Sequence, residues 1–129
     1  MRTRRLALLG VAIVLACSGT PPEPPPPVGG EVTLTLQSPN VDNGAVLIRV
    51  VGPITEITPS GDYLVSSAAL GTTATKIVVV GDLISGPLIR VKVPNLDLLD
   101  SYSVFVEQAA SGADFVLYDP SGYSILIVR

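Results

Sequence analysis

The sequence predicts an all-β fold, an antiparallel β-sandwich of about seven to nine strands built from residues 31–129. Three observations predict it. Apolar residues recur with a period of two rather than 3.6, which is the pattern of half-buried strands. Between these runs, groups of Gly, Pro, Asn, Asp and Ser recur about every 8 to 12 residues, the spacing of turns in sandwiches and barrels. Helical stretches are at most single turns, at residues 66–70 and 96–100, too short to pack as a layer.

The first residues belong to a different kind of segment. Arg2, Arg4 and Arg5 make a basic start, residues 6–16 are apolar, and Cys17 is the only cysteine. A basic n-region followed by a short apolar stretch is the pattern of an export signal. At 1.5 Å rise per residue the apolar run is about 16 Å long as a helix, roughly half of a hydrocarbon core, so it cannot span a membrane stably. Val14, Leu15 and Ala16 ahead of Cys17 resemble the lipobox of bacterial lipoprotein precursors, although Leu15 is bulkier than the usual middle residue. The resemblance implies removal of residues 1–16 as a signal peptide and acylation of Cys17. Acyl chains contribute about 0.8 kcal/mol per buried methylene, enough to hold a protein on a membrane without a span. Ser18, where Asp is absent, implies an exported protein on the outer membrane of a two-membrane cell, its body facing the periplasm or the cell surface.

Residues 17–30 then form a linker. Pro21, Pro22 and the run Pro24, Pro25, Pro26, Pro27 favour extended polyproline II, and Gly29 and Gly30 supply a hinge. At about 3.1 Å per residue such a stalk holds the body about 25 to 35 Å from its anchor. Without the three N-terminal arginines, five basic residues face eleven acidic ones, a formal charge of −6. That balance excludes a phosphate-backbone footprint, so no nucleic-acid partner is expected. A single cysteine also rules out an internal disulfide, and stability must come from the core.

Within the body, Val32, Leu34 and Leu36 alternate with Thr33, Thr35 and Gln37, and Ile89, Val91 and Val93 alternate with Leu88, Arg90 and Lys92. Tyr102, Val104 and Val106 alternate with Ser103, Phe105 and Glu107, and residues 123–128 form a last strand whose inward face the sequence does not assign. Residues 45–51 and 76–80 are apolar on both faces apart from Arg49 and Lys76, the composition of central strands or of strands covered by a loop. Turn signals fall at residues 39–44, 52–53, 59–62, 81–82, 85–87, 94–95, 111–112 and 119–122.

The stretch Asp42, Asn43, Gly44, Ala45, Val46, Leu47, Ile48, closed by Gly52 and Pro53, is similar to cohesin-like sandwiches related to carbohydrate-binding modules. So is the later run from Gly81 and Asp82 through Ser85, Gly86 and Pro87 to Arg90 and Val91. The resemblance implies a nine-stranded jelly roll and recognition of a partner through a sheet face. No family binding residue matches a position here.

Catalysis is narrowly bounded. With no His in the chain, a Ser-His-Asp or Cys-His arrangement and histidine metal sites are excluded, and lipidation would consume the only thiol. The pairs Asp97 with Asp100 and Asp114 with Asp119 read as solvated loop acids rather than a glycosidase pair. Asn40, Asp42 and Asn43 place oxygen donors in one loop, a turn signal that leaves calcium binding open without EF-hand spacing. No metal or other cofactor is expected.

Tyr63, Tyr102, Phe105, Phe115, Tyr118 and Tyr123 are the whole aromatic supply. Tyr118 and Tyr123 flank the turn at residues 119–122 and are the best candidates for a ligand-binding ring pair. The expected function is therefore a membrane-anchored, non-catalytic binding or scaffold module holding a protein partner at the cell envelope. The alternative is a carbohydrate-binding module. Replacing Cys17 by Ala should move the protein from the membrane pellet to the soluble fraction; continued sedimentation with membranes would defeat the anchor.

Overall fold

The computed structural model describes residues 22–129. The signal peptide expected over residues 1–16 and the lipidation site Cys17 lie outside the described residues. From residue 22 to 29 the chain is exposed and without regular structure.

Nine strands follow: β1 (Gly30–Gln37), β2 (Asn43–Val51), β3 (Glu56–Pro59), β4 (Leu64–Leu70), β5 (Ala74–Leu83), β6 (Gly86–Val93), β7 (Ser103–Ser111), β8 (Leu117–Tyr118) and β9 (Ser124–Val128). They form two antiparallel sheets, a four-stranded one ordered β3-β6-β1-β9 and a five-stranded one ordered β4-β5-β2-β7-β8. The all-β sandwich read from the period of two is the observed architecture. Short 3₁₀ turns at Leu96–Ser101 and Pro120–Gly122 are the helical content of the described residues.

Alternation explains how the core fills. Val32, Leu34 and Leu36 of β1 and Val91 and Val93 of β6 project inward from one sheet to meet Val46, Ile48 and Val50 of β2 and Ile77 and Val79 of β5 from the other. Each such side chain contributes about 1.5 to 3 kcal/mol when fully buried. The two-sided apolar runs are central strands as expected: β2 pairs with β5 and β7, and β5 pairs with β4 and β2. Among the described residues no loop covers them, and Val51 and Val78 are exposed.

Three expectations need correction. Residues 66–70 are strand, not a helical turn: β4 pairs with β5 at every position from Leu64↔Val80 to Leu70↔Ala74, and this pairing overrides the weak preferences of Ser and Ala. Gly81 and Asp82 mark a bulge, not a turn. Ala45 pairs with Val80 and Asn43 with Leu83, so two residues of β5 oppose Gly44, and β5 continues to the buried Leu83. Leu88, placed by simple alternation with Arg90 and Lys92, is buried beside Ile89. A register shift in β1–β6, from Leu34↔Ile89 to Thr35↔Pro87, gives β6 an extra residue at that point and turns both side chains inward.

One close approach fixes the end of β2. Gly52 has φ of +133°, and its amide donates to the Thr73 carbonyl at 2.7 Å. The Tyr102 ring lies over it, with the hydroxyl donating to the Pro53 carbonyl, so a Cβ at position 52 would fall 2.3 Å from a ring carbon. Gly52→Ala should therefore lower unfolding free energy by about 2 kcal/mol, combining left-handed strain with displacement of Tyr102. Urea denaturation measures it, and a loss under about 0.5 kcal/mol would contradict the close packing.

Candidate functional site

The same alternation that fills the core also decides what each sheet shows to solvent. On the four-stranded sheet the outward residues of β1, β3 and β6 are mostly polar, while β9 shows Leu126 and Val128, 47% and 46% exposed, along its edge. Glu31, Thr33 and Thr35 of β1 lie beside Arg90 and Lys92 of β6, with Glu56 and Thr58 of β3 at the edge. Lys92 Nζ lies 3.0 Å from Glu56 Oε2 and Arg90 Nη1 3.6 Å from Glu31 Oε1. The hydrogen bond and the negative charge of Glu56 raise the Lys92 pKa above its ordinary value. This face is an ordinary solvated surface, whose exposed pairs contribute little to stability.

The five-stranded sheet is different. Strand registers place Leu64, Val80, Ala45, Ala110 and Leu117 in one row across β4, β5, β2, β7 and β8. A second row holds Ser66, Val78, Leu47 and Gln108, and a third Ala68, Lys76, Arg49 and Phe105. Leu64 is 76% exposed, Leu117 66%, Phe105 43% and Val78 37%. Ala45, Leu47, Val78, Gln108, Ala110 and Leu117 line a shallow hollow of about 150 Å³.

Charge on this face is concentrated in one cluster. A register shift between Leu47↔Gln108 and Ile48↔Val106 leaves Glu107 as the extra residue of β7. Its carboxylate meets Arg49 Nε at 2.7 Å and Lys76 Nζ at 3.2 Å, and the Arg49 guanidinium lies 6.0 Å from the Phe105 ring centre. Two cations share one anion, leaving a local excess of one positive charge.

A polar cluster occupies one end of the sandwich. Asn43 is 2% exposed, and its amide nitrogen donates to Leu83 O at 3.0 Å, Asn40 O at 2.9 Å and Ser38 Oγ at 3.0 Å. The Tyr123 hydroxyl donates to Asn43 Oδ1 at 2.6 Å and accepts from Asn40 Nδ2 at 3.0 Å. Nearby, Asp42 Oδ1 accepts from the Gly112 amide at 3.2 Å. Asn43 Oδ1 and Asp42 Oδ1 are thus engaged in holding the loop, and among the described residues no group of three acidic, His or Cys side chains is poised around a cation.

The two rings of the expected pair lie near each other across the turn but differ in exposure. Tyr123 precedes Ile125 and Ile127 on the inward side of β9 and is only 7% exposed, so its ring offers no face to a ligand. Tyr118 packs against the core from the side, and desolvation is the largest cause raising its pKa. The carboxylate pairs are separated by local roles. Asp119 accepts the Ser121 amide, and Asp114 accepts the Ser111 hydroxyl; these bonds lower both pKa values. Asp97 and Asp100 sit on the 3₁₀ turn at the rim of an open cleft of about 750 Å³. Its apolar walls include Leu96, Leu99, Val104, Ile125 and Ile127, where β7 before Ala109 has no strand between it and β9.

No family model, curated protein or solved structure matches the chain. Sequence reasoning missed Leu64, Leu117 and Phe105 as parts of one surface. The available signal was the second apolar face of residues 45–51 and 76–80, which implied a covering for that face or an exposed patch.

Because the two N–H groups of the buried Asn43 amide are shared among three nearby acceptors and its oxygen takes the Tyr123 hydroxyl, Asn43→Ala should cost about 2 to 3 kcal/mol of stability. Tyr123→Phe, which leaves the Asn43 amide bonded to backbone, should cost about 1 kcal/mol. Equal losses in chemical denaturation would argue against this hierarchy.

Proposed function

We propose that this protein is a non-catalytic binding module of the bacterial cell envelope, tethered through Cys17 and its proline-rich linker. It holds a protein partner on the outer face of the five-stranded sheet. The observation that carries this reading is the contrast between the two sheets: the four-stranded one faces solvent with Thr and ion pairs and confines Leu126 and Val128 to its β9 edge, whereas the five-stranded one carries Leu64, Val78, Val80, Leu47 and Leu117 across its strands. Contiguous exposed apolar surface on a folded domain is a mark of an interaction site. The Arg49, Lys76 and Glu107 cluster adds direction to it. A partner with an apolar patch and a carboxylate placed over Arg49 or Lys76 fits this face, because charge complementarity sets orientation and suppresses wrong partners.

The cohesin-like resemblance agrees with a sheet face as the recognition surface. Carbohydrate binding is the second reading, and the burial of Tyr123, which leaves Tyr118 as the more accessible ring, gives it less support. The absence of His and the local bonding of Asp114 and Asp119 favour binding over catalysis.

Leu64 and Leu117 are exposed, so Asp in their place should leave the fold intact while placing charge on the face. The Leu64→Asp, Leu117→Asp double variant should weaken capture of the envelope partner by at least about tenfold relative to wild type. Thr33→Asp, on the opposite sheet, should not. Quantitative affinity capture with both variants and the wild type measures this. Equal recovery of the same protein by all three would remove the face from the function.

A further inference from the structure

A sandwich with two open sheets has four edge strands, and each exposes unpaired backbone groups to any passing chain. The edges differ in how they are protected. β3 is four residues long and carries Glu56 and Pro59. β8 is two residues long and pairs with β7 only at Ala109 and Ala110, so β7 is also open on that side from Ser103, but β7 is bulged there and carries Glu107. β9 is five residues long and uncharged until Arg129 follows it. β4 is the longest terminal strand of either sheet and has neither charge nor bulge to blunt it. It runs for seven residues, Leu64–Leu70, with no charge, no proline and no bulge, and six of the seven are exposed.

We infer that β4 is the edge through which two copies of this chain associate, pairing antiparallel about a two-fold axis at Ser67. The strand's own sequence selects this occupant. In an isologous pair each residue meets its counterpart across the axis. With Ser67 opposite Ser67, Ser66 meets Ala68, Val65 meets Ala69 and Leu64 meets Leu70. Small residues face small or β-branched ones at the centre, a Leu pair closes each end, and no like charges meet. Directly opposed side chains on antiparallel strands lie about 4.5 to 5.5 Å apart, so these are contacts.

The register also keeps faces together. Leu64, Ser66, Ala68 and Leu70 point outward in both copies, so the pairing joins two five-stranded sheets into one of ten strands. The two apolar faces become a single continuous surface, twice the area proposed above for the partner. A seven-residue edge buries little area, which makes this a weak dimer in dilute solution. Attachment of both copies to one membrane, as proposed above, raises their effective concentration and favours it.

The test uses the full chain carrying Cys17→Ala, so that a single introduced thiol reports the contact. Ser67→Cys should give a dimer on mild oxidation or with a short bis-maleimide, since position 67 meets itself. Thr58→Cys on the β3 edge should stay monomeric. In the Cys17→Ala background without added thiols, sedimentation velocity should show concentration-dependent dimerisation, and Ser67→Lys should weaken it by about tenfold by placing like charges on the axis. Circular dichroism of the exposed Ser67→Lys variant controls for folding. Monomers at every concentration, or a dimer insensitive to Ser67→Lys, would overturn the pairing. Partner capture by a monomeric Ser67→Lys variant would leave the face proposal standing, so the two ideas fail separately.

Discussion

The sandwich depends at one end on a single buried side chain. Asn43 begins β2, yet its amide reaches the end of β5 at Leu83, the loop after β1 at Ser38 and Asn40, and Tyr123 just before β9. Those contacts join both sheets and the loop that crosses between them. A polar group in so dry a place is costly unless every bond is made, and once made the bonds are strong in the low local dielectric. The chain has one cysteine and so no internal cross-link. This network does locally what a disulfide does in many exported domains, tying segments far apart in sequence to one geometry.

From that anchored end the two sheets diverge in character. The four-stranded sheet follows the half-solvated pattern over β1, β3 and β6, with Thr33, Thr35 and Thr58 beside paired charges, and departs from it at Leu126 and Val128 of β9. The five-stranded sheet has a second apolar side that the core does not consume. A stable monomer gains nothing from Leu64 at 76% exposure, because the hydrophobic contribution requires burial. The gathering of such residues on one face is the ground on which the proposed binding role is placed there rather than on the aromatic residues or the acidic loops.

How much of this was legible in the sequence varies with the kind of residue. Val32, Leu34 and Leu36 declared β1, and the apolar runs at 45–51 and 76–80 declared two central strands, because period and composition report directly on burial. β4 was not legible: Ser and Ala have no strong strand preference, and its state is set by pairing with β5. Leu88 and Gly81 were misplaced for one reason, since a bulge shifts alternation by a residue and depends on the partner strand. Asn43 read as a turn residue with an oxygen to offer. Its role comes from Tyr123, eighty residues away, and no local pattern announces such a contact.

The position of β1 has a mechanical consequence. The linker leads into Gly30, where Leu96 N donates to Val28 O at 2.9 Å, and β1 then runs between β6 and β9 toward the Asn43 end. Tension transmitted through the linker therefore acts along a strand bonded on both sides. Hydrogen bonds of antiparallel ladders lie across the strand, so such a pull loads many of them at once in shear instead of peeling them singly. Pulling β1 out along its length therefore requires many of these bonds to break together.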